Sequence, residues 1–160
     1  MFKKLFKKSA PIEIIAPMSG QVVSLTDVPD PVFGERMMGE GAAIIPSEGK
    51  VVAPVNGKIV QIPDSKHAIG IETEDGVEVL IHVGLETVSL KGAGFQALAA
   101  VGDQVRVGDP ILEVDLAYIE EHADNIITPI VITNTDKEKS YQDASGITSV
   151  AGETVILTIS

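Results

Sequence analysis

The sequence predicts an all-β fold, an antiparallel β-sandwich or flattened barrel with internal duplication and short helical inserts. Three observations lead there. The apolar residues, 44% of the chain, fall in short Val, Ile, Leu and Ala runs cut by 15 Gly and 9 Pro. Such runs read as strands joined by tight turns. Two phrases recur. Ala16-Pro-Met-Ser-Gly-Gln-Val-Val returns as Ala53-Pro-Val-Asn-Gly-Lys-Ile-Val, and the segment from Gly102 to Val114 returns more loosely from Gly146 to Ile159. Each occurs only twice, which indicates a duplicated β unit and not a solenoid. Finally, Asp75-Gly76 stands between two β-rich runs, a strong hairpin signal.

A chain of 160 residues suits one domain. The absence of cysteine excludes a disulfide framework and thiolate chemistry, and suits a reducing cytoplasm. Four lysines and no acid among residues 1–12 leave −15 on the rest of a chain whose net charge is −11. A body so acidic repels nucleic acid and attracts basic partners.

The opening MFKKLFKK lacks the long apolar region of a signal peptide, and no stretch is long enough to span a bilayer. Residues 1–12 read as a basic tail. If helical, it sets Phe2, Leu5 and Phe6 against Lys3, Lys4, Lys7 and Lys8, and residues 1–8 would touch an anionic membrane surface weakly. A disordered tail is the other reading. Residues 13–160 form the domain. Strands are expected at 20–25, 42–46, 58–62, 68–73, 77–82, 104–107, 111–114, 129–133 and 154–159. Two windows look helical. Gly94–Ala100 offers a turn or two; Asp115–Asp124 has an Asp N-cap and sets Leu116, Ile119 and Ala123 on one side.

Two of the three histidines flank the Asp-Gly turn. A two-residue loop would pair Glu74 with Val77, Ile71 with Leu80 and Ile69 with His82. His67 would then share a face with His82 as its diagonal neighbour. A three-residue loop would put the two on opposite faces. Gly84 follows closely, and a nearby carbonyl would hold one ring nitrogen of His82 and leave the other free. His122, in Glu-Glu-His-Ala-Asp, reads as surface decoration.

Paired histidines suit two chemistries. In one, His82 carries a phosphoryl group as nucleophile and His67 hydrogen-bonds that group. In the other, both bind zinc, but no pattern supplies a third protein ligand, so His67 and His82 would hold zinc only with a partner's carboxylate.

Six segments carry a resemblance: Asp27-Val-Pro-Asp-Pro-Val-Phe, Val52-Ala-Pro-Val-Asn-Gly, Lys66-His-Ala-Ile-Gly, Val77-Glu-Val-Leu-Ile-His-Val-Gly-Leu-Glu-Thr-Val, Leu90-Lys-Gly-Ala-Gly-Phe and Thr128-Pro-Ile-Val-Ile-Thr-Asn. In this order and spacing the chain resembles, over residues 14–159, the glucose-type IIA component of the bacterial phosphoenolpyruvate-dependent sugar phosphotransferase system. The resemblance implies that His82 accepts a phosphoryl group from the carrier protein HPr and passes it to a cysteine of a IIB domain, which phosphorylates the sugar. It implies that His67 hydrogen-bonds the phosphoryl group. Ser65 stands where relatives usually have threonine, Glu86 where many have aspartate, and Pro63 where an aromatic is common. The family's docking surface maps onto Val32, Phe33, Met38, Leu80 and Val88, with Glu86 and other rim acids (Asp30, Glu35, Asp64) facing a basic partner. It implies a bacterial protein, cytoplasmic or peripheral at the inner face of the membrane, that needs no cofactor and whose phosphorylation state is read by transporters or kinases. Two rivals remain: a zinc metallopeptidase on a related duplicated architecture, and a biotinyl or lipoyl carrier, for which a Met-Lys-Met motif is lacking.

Overall fold

The computed structural model describes residues 10–160. The tail reading of residues 1–12 and its lipid contact fall almost wholly outside the described residues. Fourteen strands and two short helices follow: β1 (Ile12–Ile15), β2 (Gly20–Val23), α1 (Pro31–Gly34), β3 (Glu40–Pro46), β4 (Lys50–Val52), β5 (Gly57–Gln61), β6 (Ala68–Glu72), β7 (Glu78–His82), β8 (Phe95–Ala97), β9 (Gln104–Val105), β10 (Pro110–Val114), α2 (Leu116–His122), β11 (Thr128–Ile132), β12 (Tyr141–Asp143), β13 (Thr148–Ser149) and β14 (Val155–Ile159). Single-turn helices add Leu25–Asp27 and Thr87–Leu90.

An eight-stranded antiparallel sheet runs β13-β2-β3-β11-β7-β6-β5-β9, and two three-stranded sheets run β1-β14-β12 and β4-β10-β8. The order reads the same from both ends: β13 answers β9, β2 answers β5, β3 answers β6, and β11 meets β7 at the centre with Ile130 opposite Ile81. Hydrogen bonds repeat under this pseudo-twofold relation. Ile15 N donates to Pro54 O and Val52 N to Pro17 O; Gly152 N donates to Ala16 O and Gly108 N to Ala53 O. Val22 N bonds Ile147 O as Ile59 N bonds Asp103 O. The two echoed phrases are therefore the two halves of one duplicated unit, each half strapping the other.

Alternation along the strands sets the layers. Ile69, Ile71, Val79, Ile81, Ile130 and Ile132 point inward and form one core with Ile14, Val51, Leu112 and Leu157 of the smaller sheets. The opposite face of β3, β7 and β11 carries Ala43, Leu80 and Val131 under a second cluster of Leu25, Val28, Phe33, Leu85 and Ile127. Strand β11 is accordingly buried on both faces. Pro31 and Asp30 explain the small helix over this second cluster. Proline suits the first helical position, and the Asp30 carboxylate accepts from Val32 N at 2.9 Å.

The all-β class, the duplication and all nine expected strands appear, with ends shifted by a few residues and the 104–107 strand reduced to two. The helix at 115–124 forms with Asp115 capping Tyr118 N. Two expectations fail. The 94–100 window contains strand β8, which pairs with β10. Its Ala and Leu content suggests helix, yet Phe95, Ala97 and Ala99 alternate with exposed Gln96, Leu98 and Ala100. The 73–77 reversal has a three-residue loop. Thr73 N donates to Val77 O and Gly76 N to Thr73 O, with Gly76 at φ +90°, so Ala68, not Ile69, lies opposite His82.

Candidate functional site

With that register, strand alternation alone would send His67 and His82 to opposite faces. The rings nonetheless stand edge to face, with centroids 4.9 Å apart. The reason lies just outside the ladder. Strand β6 begins only at Ala68, and the chain before it bends. Lys66 N donates to Pro63 O, and Lys66 takes φ +54°. The bend swings the His67 ring to the outer side of the sheet. Val83 N bonds His67 O at 2.8 Å and ties the bend to the exit of β7.

His82 ends β7 on the same face as Leu80, half-buried beside the second apolar cluster. Its Nδ1 lies 2.9 Å from Gly84 O. A carbonyl only accepts, so Nδ1 carries the proton and Nε2 of the neutral ring carries the lone pair. The Phe33 ring packs against it with centroids 4.9 Å apart. Burial lowers the His82 pKa; the Gly84 carbonyl, its own backbone carbonyl and the Asp30 charge partly oppose this. His67 exposes 8% of its surface, and its Nδ1 sits 2.5 Å from Ser65 Oγ. Burial, and secondarily the neighbouring His82, lower its pKa to about 4. Both rings are thus neutral near neutral pH.

Val32, next to Phe33, and Val88, in the turn after β7, are exposed, and Leu80 and Met38 are half-buried on the second cluster. Glu86 is exposed at φ +61°. Phe33 exposes only 5%, so it is less a docking side chain than a wall beneath His82. Two features escaped the sequence reading. Met37, 70% exposed, stands beside Val32, its N–H donating to Val32 O. Thr87, fully buried, donates to Val83 O. His122 lies on the exposed side of α2, stacked on Tyr118 and away from the pair. A surface hollow of about 650 Å³ lined by Asn56, Lys58, Glu72 and Arg106 contains neither histidine. Among the described residues no group of three or more His, Cys, Asp and Glu could hold a metal, and no helix is long and apolar enough to cross a membrane.

A duplicated β-sandwich that sets two neutral imidazoles together beside an apolar cluster suits a protein that carries a small group on a histidine. The comparisons agree. The family described as phosphoenolpyruvate-dependent sugar phosphotransferase system, EIIA 1, matches residues 12–138. The glucose-specific EIIA component of Bacillus anthracis is 50% identical, with 99% of this chain and 98% of that protein covered. The one from Staphylococcus epidermidis strain RP62A is 44% identical with the same coverage. The solved glucose permease IIA from Mycoplasma capricolum superposes with a TM-score of 0.87 at 37% identity, over 94% of this chain and 96% of that one. The chain belongs to the EIIA type 1 family of the sugar phosphotransferase system. It is a phosphoryl-carrying component of that system, and neither the metallopeptidase nor the biotinyl or lipoyl reading finds support.

Proposed function

We propose that His82 is the phosphoryl acceptor, that phosphorylated HPr is the donor, and that a cysteine of a IIB domain receives the group. The observation that supports this best is the bond from His82 Nδ1–H to Gly84 O, which leaves Nε2 free. A ring kept neutral by burial is a ready nucleophile and needs no separate base. Nε2 attacks phosphorus as the donor's N–P bond breaks, and the donor imidazole leaves with the bonding pair. The His82 ring is then a cation, phosphoryl on Nε2 and proton on Nδ1. The Gly84 carbonyl and the Asp30 charge favour that cation. In the onward step a cysteine thiolate attacks phosphorus and His82 returns to its neutral form.

His67 supports the group. Ser65 Oγ lies at Nδ1 of His67; with the ring as its Nε2–H tautomer, the hydroxyl donates to Nδ1 and Nε2–H faces the phosphoryl oxygens. Val32, Met38, Leu80 and Val88 exclude water when a partner docks, which strengthens the polar contacts inside. Glu86 and Asp30 favour a partner with a basic patch. The phosphorylated and free faces differ in charge, so transporters or kinases that read one of them are further partners. Zinc needs more than this site offers: His67 would first have to carry its proton on Nδ1 to free Nε2, and a docked partner must then add a carboxylate. HPr and a IIB domain as partners fit a cytoplasmic protein.

The test is incubation with phosphoenolpyruvate, Enzyme I and HPr, followed by intact mass and fragment mapping in alkaline solution. One phosphoryl group is expected on His82, lost in His82→Ala. His67→Ala should still accept it but pass it on poorly. Acceptance by His82→Ala together with none by His67→Ala would reverse the two roles.

A further inference from the structure

We infer that Thr87 is a positioning residue for the transfer: it holds the loop after β7 in the shape that presents the Gly84 carbonyl to His82. The inference rests on His82 as the acceptor. Two peptide planes meet at Gly84, and each is rigid. One contains Val83 C=O, and Thr87 Oγ1 donates to that oxygen at 2.7 Å. The other contains Gly84 C=O together with Leu85 N–H, and Leu85 N donates to Asn125 O at 2.9 Å. The first plane is thus pinned by Thr87 and the second by the segment that leaves α2, where Asp124 N also bonds Leu85 O.

Gly84 between them has φ +73°. A Cβ there would lie 2.7 Å from Thr87 Cγ2 and 2.9 Å from Asn125 O, so glycine is required. Glycine also supplies no stiffness of its own, and the loop's shape comes from its two anchors. Of these, only Thr87 acts through a side chain. Its hydroxyl is fully buried and reaches none of the reacting groups. Release of the Val83 carbonyl would leave the Gly84 carbonyl held only through Leu85 N–H, free to tilt about that single anchor and lengthen its bond to His82 Nδ1. The proton would then divide between the ring nitrogens, and fewer molecules would carry a lone pair on Nε2.

The experiment compares the whole chain with Thr87→Val, which removes the donor at nearly constant shape, and Thr87→Ser, which keeps it. Two quantities are read: the His82 tautomer, from NMR of labelled imidazole nitrogens in unphosphorylated protein, and the rate of acceptance from phosphorylated HPr. Thr87→Val should raise the share of the Nε2–H tautomer and slow acceptance about tenfold, and Thr87→Ser should restore both. An unchanged tautomer in Thr87→Val overturns the inference, whether or not acceptance slows. Should Thr87→Val fail to fold, Thr87→Cys, with only a weak donor, carries the same comparison and the same overturning result. Failure of the acceptor assignment itself shows separately, as no phosphoryl group on His82 in the unaltered protein.

Discussion

His67 and His82 meet edge to face at 4.9 Å although the residue across the ladder from His82 is Ala68. Their contact is made by a bend, not by a shared strand face. The short turn ending at Lys66 brings in His67, and strand β7 delivers His82. The site therefore combines one ring held by the sheet with one held by a loop that grips it through Ser65.

That arrangement sets the pH response of stability. His67 takes up a proton at its ordinary 6.5 when unfolded but at about 4 when folded, and the His82 value is lowered too. Over this window the unfolded chain binds more protons than the folded one, so stability rises with pH. The contribution is complete above about 6.5 and is lost as the pH falls toward about 4. Urea midpoints should fall through that window, and less steeply in His67→Gln. Equal slopes in the two proteins would contradict the assignment.

Phe33 couples the second apolar cluster to the acceptor. It is buried, and its ring packs on His82. Phe33→Ala should cost about 3 kcal/mol, in the range for a buried aromatic cut to a methyl, measured by urea unfolding. An NMR titration should also show the His82 pKa moving back up toward its ordinary value as water enters. A stability loss with no such movement would make Phe33 a packing residue alone.

Ser65→Ala removes the hydroxyl at His67 Nδ1. Acceptance by His82 should change little, while transfer to a IIB domain should slow about fivefold, the worth of roughly one hydrogen bond. Rapid-quench measurement of the two steps separates them. Slowing of acceptance alone would mean that Ser65 serves the first transfer and not the second.

Much of the fold was legible because its determinants are local. The Ala-Pro-x-x-Gly phrases marked the duplication, and Pro17 and Pro54 proved to accept the straps that tie the halves together. The strand at 77–82 is legible because Val79 and Ile81 enter the main core while Leu80 faces the second cluster. The turn was not legible. Asp75-Gly76 is compatible with both loop lengths, and the longer one won by placing Gly76 third at φ +90°, with Thr73 Oγ1 accepting from Val77 N. The meeting of the histidines was anticipated by an incorrect register; what brings them together is a positive-φ lysine, which carries no periodic signal. Strands of two to four residues such as Lys50–Val52 and Thr148–Ser149 are too short for alternation to register. The support behind Gly84 comes from Thr87 and Asn125, and the Asn125 contact spans a sequence separation that no local pattern reports.

The most direct measurement is NMR of the phosphorylated protein with labelled imidazole nitrogens, which locates phosphorus on an individual atom. Bonding to Nε2 of His82, with the remaining proton on Nδ1 against Gly84 O, is the predicted result. Phosphorus on Nδ1 of His82, or on either nitrogen of His67, would contradict it.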